Sequence, residues 1–323
     1  MVRLTINSVL KHSSMKMPAI GFGTWQIKPE EIDTALNAAI DAGYRHIDTA
    51  YAYRNEDDIG TALKKMFESG KIKREDLFIT TKLPPWANRR EDVEAVLETS
   101  LARLQLNYVD LYLIHSPMGL QKPEDENTSI ASLGLDMETD LLELWKGMEA
   151  QVEAGRTKYI GISKFNQSQI QRILDNCKIR PASLQNELHI YLQEKELVSF
   201  CYKNDITVTA FSAFGSPGTR SWSESARAAA IPLEDPIITE IAKKYNKQPS
   251  HILIRYLIEY GVAVIPKSSN PIRIKQNIDV FDFELSKEDY DKISNLDRGE
   301  NGRIFGSVFF NKSIKHPEYP FPK

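Results

Sequence analysis

The chain has 323 residues, of which 41% are hydrophobic and 26% are charged, so it is long enough to bury a large core. Its formal net charge of −3 gives no electrostatic reason to expect a nucleic acid or an anionic membrane as a partner. No apolar run approaches the length of a membrane span, and the N-terminus does not resemble a secretory signal, so a cytoplasmic protein is expected. Cys177 and Cys201 lack the spacing of metal ligands and are expected to be free thiols.

Strand-like and helix-like patterns alternate along the chain after a short hairpin predicted at residues 1–18. Strands are predicted at 19–24, at the run ending at Asp48, and at 77–83, 108–115, 159–163, 183–188, 207–213 and 262–267. Helices are predicted from Pro29 to the stop at Gly43, and at 56–68, 93–104, 141–154, 167–177, 194–203, 236–245, 250–260, 271–279 and 286–296. Two long connections, 116–139 and 214–233, exceed ordinary loop lengths and are therefore predicted to be functional.

Eight strand–helix units imply parallel strands joined by right-handed crossovers. We therefore predict an α/β fold of the closed (β/α)₈ TIM-barrel type, with an N-terminal β-hairpin and two extra helices, formed by residues 1–323 as one domain. An open doubly wound sheet is the structural alternative.

Titratable residues end three consecutive predicted strands. Asp48, Lys82 and His115 each fall at a strand end, and Tyr53 follows Asp48 by five residues. Each of them alone has an ordinary structural explanation, such as a turn, a solvated strand end or a satisfied core imidazole. Together they are expected at the carboxyl-terminal mouth of the barrel, where the active sites of such barrels lie.

These four side chains suit proton delivery to an oxygen that gains negative charge. A tyrosine has an unperturbed pKa of about 10, and a nearby lysine ammonium lowers the pKa of the phenol. Asp48 can supply the counter-charge of Lys82, and a neutral His115 can donate a hydrogen bond to a carbonyl oxygen. No Ser or Cys is visibly paired with a base, so the pattern does not indicate nucleophilic hydrolysis.

A phosphate site is predicted after the last strand. The sequence lacks a G-x-G-x-x-G fingerprint, because Gln26 stands where the third glycine would be. Cations, hydroxyls and a helix N-terminus occur together instead, and such groups favour phosphate binding; the residues are Lys267, Ser268, Ser269, Asn270, Arg273 and Asn277.

Seven collinear segments resemble the aldo-keto reductase family over nearly the whole chain, and aldose reductase-like and xylose reductase-like members are the most similar. The segments are GFGTW (21–25), HIDTAYAYRNEDDIG (46–60), FITTKL (78–83), DLYLIH (110–115), GISKFN (161–166), AFSAFGS (210–216) and IPKSSNPIRIKQN (265–277). The resemblance implies NADPH-dependent reduction of a small-molecule carbonyl to an alcohol by a monomer. It implies that Tyr53 is the general acid, that Lys82 and Asp48 tune it, and that His115 orients the carbonyl.

The resemblance also implies which residues bind NADP(H). Ser163 and Gln185 match positions that bind the carboxamide, Phe211 matches the aromatic that stacks on the nicotinamide, and residues 212–218 match the loop over the pyrophosphate. The groups after the last strand then surround the adenosine 2′-phosphate. The implied cofactor-binding residues are Gly23, Thr24, Trp25, Asp48, Ser163, Gln185, Phe211, Ser212, Phe214, Gly215, Ser216, Lys267, Ser268, Asn270, Arg273, Gln276 and Asn277.

Three positions depart from the family pattern. Lys164 stands where an Asn usually reaches the carboxamide, and it could point at a phosphate or out of the pocket. Phe211 replaces a Tyr, which keeps the stacking surface and loses a hydroxyl. Ser116 replaces a bulky aromatic and is expected to open one wall, which favours a bulky ketone such as a steroid or ecdysteroid ketone.

The expected substrate residues are Trp25, Tyr53, Trp86, His115, Ser116 and Trp222, with further walls from Ala52, the 116–139 loop and the tail at 304–310. Two other functions remain open from the sequence. One is a catalytically weak NADPH-binding regulatory protein of the same fold, against which the intact set of four residues argues. The other is a metal-dependent barrel enzyme that uses His46, Asp48 and His115, although residues two apart on a strand make a compact site awkward. We expect no metal.

Overall fold

A closed parallel barrel forms the centre of the molecule. The computed structural model describes residues 4–125, 128–129, 132–222, 229–306 and 311–322. In that part of the chain the eight barrel strands, in spatial order, are β3 (Phe22–Gly23), β4 (His46–Asp48), β5 (Phe78–Leu83), β6 (Val109–Ile114), β9 (Thr157–Ser163), β10 (Ser183–Glu187), β11 (Thr207–Phe211) and β12 (Ala263–Val264). A parallel bridge between Ile20 and Val264 joins the first edge to the last. The closure confirms the (β/α)₈ barrel and excludes the open sheet.

Helices surround the barrel and follow the predicted pattern. Those of the described residues span Pro29–Ala42, Glu56–Glu68, Arg90–Leu104, Leu141–Glu153, Gln167–Leu174, Lys195–Lys203, Pro236–Lys244, Pro249–Glu259, Pro271–Ile278 and Lys287–Ser294. The helices at Pro236–Lys244 and Lys287–Ser294 are additional to the eight that alternate with the strands, as predicted. No helix of the described residues is long and apolar enough to cross a membrane.

The first helix shows how the sequence specifies these elements. The helix Pro29–Ala42 begins at Pro29. Proline suits this position, because an N–H group there would have no acceptor within the helix. The residues that repeat at helical spacing are the ones that the helix buries, namely Ile32, Ala35, Leu36, Ala39 and Ile40. Gly43 ends the helix with a φ of 104°, a conformation that glycine adopts without a Cβ penalty.

The N-terminal hairpin covers one end of the barrel and leaves the other for the site. Strands β1 (Val9–His12) and β2 (Met15–Pro18) pair antiparallel, as predicted. Met15 and Met17 are fully buried and pack with residues that include Phe78, at the start of β5. The opposite end, where the strands finish, carries the candidate residues.

Two segments are structured differently from the sequence prediction. The long insert contains a small antiparallel pair, β7 (Gly119–Leu120) and β8 (Leu135–Asp136), that was not predicted. The last strand is shorter than 262–267 and ends at Val264, since Pro266 has no N–H to donate to a strand ladder. Lys267 therefore lies in the connection between β12 and the helix Pro271–Ile278.

Candidate active site

Barrel strands bring the four predicted catalytic side chains together. Asp48 ends β4, Lys82 lies next to the last residue of β5, and His115 directly follows β6. Tyr53 ends the 3-10 turn Tyr51–Tyr53 beyond β4. Parallel pairing places Asp48 opposite Thr80, two residues before Lys82 on the neighbouring strand. Adjacent strand ends thus account for the clustering that the sequence predicted.

Lys82 is the centre of this group. Its Nζ donates to Asp48 Oδ1 at 2.5 Å, to Thr49 O at 2.7 Å and to the Tyr53 hydroxyl at 3.3 Å. The second carboxylate oxygen of Asp48 accepts from Gln185 Nε2 at 2.7 Å. Because Lys82 and Asp48 are almost completely buried, their charges are removed from water and depend on each other.

Burial and the neighbouring charges act in opposite directions on these groups. Burial tends to lower the pKa of Lys82, but the Asp48 carboxylate and the Tyr53 hydroxyl raise it, and the net pKa lies above the ordinary value. Burial raises the pKa of Tyr53; the Lys82 charge lowers it, Asp48 raises it again, and the net shift is upward. The effect of Lys82 has the predicted direction, but burial outweighs it, so Tyr53 stays a protonated phenol at neutral pH.

His115 lies beside Tyr53, with their ring centroids 5.7 Å apart and nearly perpendicular. Burial lowers the pKa of His115 well below its usual range, and the charges of Lys164 and Lys82 lower it further. The imidazole is therefore neutral at neutral pH. Its Nδ1 is buried and finds no hydrogen-bond partner among the described residues. A neutral imidazole keeps one N–H that can donate to a ligand.

The predicted carboxamide and stacking residues occupy three neighbouring strands. Ser163 ends β9, Gln185 lies in β10 and Phe211 ends β11, with Ser163 directly opposite Gln185. Lys164 follows Ser163 and extends its ammonium over the ring of Phe211, with Nζ 5.8 Å from the ring centroid. The lysine thus points into the site, which excludes the outward orientation left open by the sequence.

A tight turn follows Phe211. Ser212 and Ser216 hydroxyls lie 2.6 Å apart, and the N–H of Gly215 donates to Ser212 O at 2.7 Å. Ser212, Gly215 and Ser216 all have positive φ. A Cβ on Gly215 would also lie 2.6 Å from Pro232, so both the φ and the close approach favour glycine. Phe214, partly buried, packs on the core within this predicted pyrophosphate loop.

Two positive side chains cluster near the start of the helix Pro271–Ile278, Lys267 from the connection after β12 and Arg273 from the helix itself. Asn270 caps that helix by accepting from the N–H groups of Ile272 and Arg273 at 2.9 and 3.2 Å. Ser268 Oγ accepts from Asn270 N at 3.1 Å and from Arg273 Nε at 3.4 Å. Burial lowers the pKa of Lys267, and the charge of Arg273 also lowers it, against a raising effect of Glu31. The positive charges of Lys267 and Arg273 repel each other, and an anion bound near both would be stabilised. Gln276 is exposed on this helix, and Asn277 is buried.

Gly23, Thr24 and Trp25 connect the cation cluster to the catalytic group. Gly23 N donates to Pro266 O at 3.2 Å, and a Cβ on this glycine would lie 2.8 Å from Ile265 O. Thr24 Oγ1 donates to Asp48 O at 3.0 Å. The ring of Trp25 lies 6.5 Å from that of Tyr53. This segment therefore spans from the phosphate-type site to the phenol.

Aromatic side chains form one wall of the catalytic mouth. Phe305, from the C-terminal tail, packs edge-on against Trp25 and Phe211, with ring centroids 5.9 and 5.8 Å apart. The predicted tail wall thus includes Phe305, while residues 307–310 and the side chain of Trp222 lie outside the described residues.

Two of the other predicted wall residues, Trp86 and Ala52, line cavities. Trp86 packs edge-on against Tyr51 at 5.4 Å and lines a cavity of about 550 Å³ whose other residues are mostly charged or polar, including Arg89 and Asp92. Trp86 also lines a smaller cavity of about 100 Å³, together with Ala52 and residues of the 116–139 loop such as Lys122. Ser116 is buried, and its Oγ accepts from Met118 N at 3.3 Å.

Glu187 is a site residue that the sequence interpretation missed. It ends β10, is 2% exposed, and accepts from the N–H groups of Ile304 and Phe305, both at 2.8 Å. His189 Nε2 is also 3.1 Å from Glu187 Oε1. This carboxylate therefore fixes the tail segment that carries Phe305. Its position at a strand end, like that of Asp48, was the available signal.

The metal-dependent alternative would need His46, Asp48 and His115 to converge on one ion. Among them, no three His, Cys, Asp or Glu side chains lie close enough together to bind a metal ion. His46 instead is buried behind the site, where its Nε2 is 3.1 Å from Thr80 Oγ1. Burial lowers the pKa of His46 to about 4.

The chain is similar to known proteins along nearly its whole length. The model described as "Aldo/keto reductase family" matches residues 19–298. The chain is 42% identical to aldo-keto reductase family 1 member A1-A of Danio rerio over 316 residues, which cover 96% of each chain. It is 41% identical to prostaglandin F synthase 1 of Bos taurus over 319 residues, 94% of each chain. The solved aldose reductase of Schistosoma japonicum superposes with a TM-score of 0.86 at 39% identity, covering 98% of this chain and 99% of that one. The chain therefore belongs to the aldo/keto reductase family, and is an oxidoreductase that uses a nicotinamide cofactor to reduce carbonyl groups to alcohols.

Proposed function

We propose that this protein uses NADPH to reduce an apolar or amphipathic aldehyde or ketone, with Tyr53 as the proton donor. The observation that carries the proposal is the contact of 3.3 Å between Lys82 Nζ and the Tyr53 hydroxyl, in a group that also includes Asp48 and His115. A regulatory protein that has lost turnover would have no need for a buried Lys82–Asp48 pair aligned on a phenol.

Each of the four clustered residues has a separate role in the proposed reaction. Tyr53 delivers a proton to the carbonyl oxygen, and Lys82 stabilises the phenolate that remains. Asp48 keeps Lys82 charged out of water, and neutral His115 donates a hydrogen bond that orients the carbonyl. The nicotinamide cofactor supplies the hydride when bound.

Residues of this chain fit NADPH at both ends. Phe211 offers an aromatic face, and Ser163 and Gln185 offer hydrogen-bonding groups beside it. Ser212 to Ser216 form a turn suited to a pyrophosphate. The positive charges of Lys267 and Arg273 repel each other, and a bound 2′-phosphate would offset that repulsion. This last feature supports NADPH over NADH.

The substrate is proposed to be a bulky ketone, such as a steroid or ecdysteroid ketone. The aromatic wall of Trp25 and Phe305 supports an apolar substrate, because it offers few polar anchors. The small side chain of Ser116 supports a bulky one. We further propose that residues 1–323 act as one domain and as a cytoplasmic monomer; the free thiols of Cys177 and Cys201 support a reducing compartment.

Replacing Tyr53 by Phe tests the function. With benzaldehyde as the probe, Tyr53→Phe should lower the rate of NADPH oxidation by about 10²- to 10⁴-fold, the contribution typical of a general acid. The affinity for NADPH should stay within about twofold, since the ring is retained. Tyr51→Phe removes a hydroxyl from the same turn and should keep the parental rate. Reduction by Tyr53→Phe at the parental rate would show that another group donates the proton.

A further inference from the structure

Lys164 takes an uncommon backbone conformation at the end of β9. Its φ is 63°, in the left-handed region that few residues other than glycine and asparagine adopt. Its N–H donates to Gln185 O at 3.1 Å, which fixes it to the neighbouring strand. The backbone of Lys164 is held in this conformation at the end of the strand, and the side chain lies towards Phe211.

The ammonium of Lys164 acts on the catalytic mouth from the Phe211 side. Its Nζ lies 5.8 Å from the centroid of the Phe211 ring. Its charge is also close enough to His115 to lower the pKa of that imidazole. A cation therefore lies near both the ring proposed to stack on the nicotinamide and the imidazole proposed to orient the carbonyl.

We propose that Lys164 is a specificity-determining residue that makes the protein bind NADPH in preference to NADP⁺. The inference rests on the proposed function, because it needs the nicotinamide to lie against Phe211. The reduced ring is neutral, whereas the oxidised ring has a positive charge. Lys164 therefore repels the oxidised ring and leaves the reduced ring unaffected. At an effective dielectric constant of about 20, two cations about 8 Å apart repel enough to change an affinity roughly thirtyfold, and screening by salt reduces this to about tenfold.

The charge of Lys164 depends on pH in a range that experiments can reach. Burial and the nearby Lys82 charge lower the pKa of Lys164 to about 8, against a raising effect of Glu187. His115 is the other titratable group that the charge of Lys164 affects, and Tyr53 lies beside His115. The pKa of His115 lies well below its ordinary value and that of Tyr53 above it, so Lys164 is the group expected to change charge between pH 6.5 and 9.5, roughly 1.5 units either side of that value.

The test measures the dissociation constants of NADPH and NADP⁺ by calorimetric titration. In the parental protein the ratio Kd(NADP⁺)/Kd(NADPH) should fall several-fold as the pH rises from about 6.5 to about 9.5. Lys164→Asn, which tolerates the positive φ, should lower the ratio about tenfold at the acidic pH and remove its pH dependence. Lys164→Arg should keep the high ratio at both pH values, because the guanidinium stays charged.

Lys146→Asn is the matched control, since it removes an exposed lysine paired with Glu143 and should leave the ratio unchanged. Titration of the 2′-phosphate affects both cofactor forms and cancels in the ratio. An unchanged ratio in Lys164→Asn would overturn this inference while leaving the reductase proposal intact. Failure of the parental protein to bind NADPH would instead overturn the proposed function.

Discussion

The Lys82 ammonium and the Asp48 carboxylate form an ion pair of 2.5 Å, with the two side chains 0% and 2% exposed. Each charge is removed from water, so each is stable only because the other is present. The pair is therefore both a component of the proposed proton donor and a condition for the fold of the barrel mouth.

Removing both partners should destabilise the protein by clearly less than the sum of the two single removals. Asp48→Asn or Lys82→Met alone leaves a buried charge and should lower the free energy of unfolding by about 3–5 kcal/mol. The double variant should lose clearly less than the sum, which urea unfolding of the four proteins at neutral pH measures. The exposed pair Lys65–Asp33 is the control, and its coupling energy should stay within about 1 kcal/mol. Additive losses at Asp48 and Lys82 would contradict mutual dependence.

The contribution of Lys82 to the stability of this pair is lost only at alkaline pH. The folded pKa of Lys82 is raised above the value in the unfolded chain. Its contribution to stability is therefore fully present below about pH 10.4, the ordinary value, and is lost as the pH rises through the folded pKa. Unfolding measured between neutral pH and the alkaline range should show no loss from this group before that limit.

The barrel and the catalytic group were predictable because each depends on short sequence patterns. Asp48, Lys82 and His115 end consecutive strands, and the parallel arrangement alone brings strand ends together. Glu187 was not predictable in its role, because its partners Ile304 and Phe305 are more than 100 residues away in the chain. Their position depends on how the tail packs, which no local pattern encodes.

The net direction of the Tyr53 pKa and the orientation of Lys164 were also beyond the sequence. A sequence indicates that Lys82 stands near Tyr53, but the extent of burial, which outweighs the lysine, is a property of the packed structure. The direction of Lys164 depends on a φ of 63° that the sequence around it does not specify. Charges can be located from a pattern, whereas solvation and side-chain direction require the fold.

The rate of the chemical step should be nearly independent of pH from about 6.5 to about 9.5, within the ordinary pKa values of His and Tyr. The pKa of His115 lies well below its ordinary value, so the imidazole remains neutral. The pKa of Tyr53 is raised, so the phenol remains protonated until strongly alkaline pH. Single-turnover oxidation of NADPH by benzaldehyde in Lys164→Asn, which removes the lysine titration, measures this step. An acidic decline near the ordinary histidine pKa that disappears in His115→Gln would contradict the neutral imidazole.

Arg273 should distinguish NADPH from NADH. Arg273→Gln removes a cation from the predicted 2′-phosphate site and should weaken NADPH by about 10- to 100-fold, as expected for hydrogen bonds to charged groups. NADH, which lacks that phosphate, should bind nearly as before. Lys275→Gln removes an exposed cation from the same helix and serves as the control. Titration with both cofactors measures the effect, and equal losses for the two would place the 2′-phosphate elsewhere.

Glu187 should control the position of the tail and therefore the binding of a bulky substrate. Both oxygens of its carboxylate accept backbone N–H groups of the tail, Oε1 from Ile304 and Oε2 from Phe305. Glu187→Gln replaces one acceptor by an NH₂ group that faces an N–H donor, so one tail hydrogen bond is lost, worth about 1.5–3 kcal/mol for a charged acceptor. Phe305 would then lose its fixed place against Trp25 and Phe211.

The expected result is a rise in KM for a steroid ketone of about tenfold, with the affinity for NADPH nearly unchanged and faster proteolysis of the tail. A small substrate such as benzaldehyde, which needs less of the wall, should show a smaller rise. Glu300→Gln removes a half-exposed carboxylate that pairs with Arg303 and is the control within the same tail. If Glu187→Gln raised KM equally for both substrates without exposing the tail to protease, the carboxylate would act on the site by a route other than Phe305.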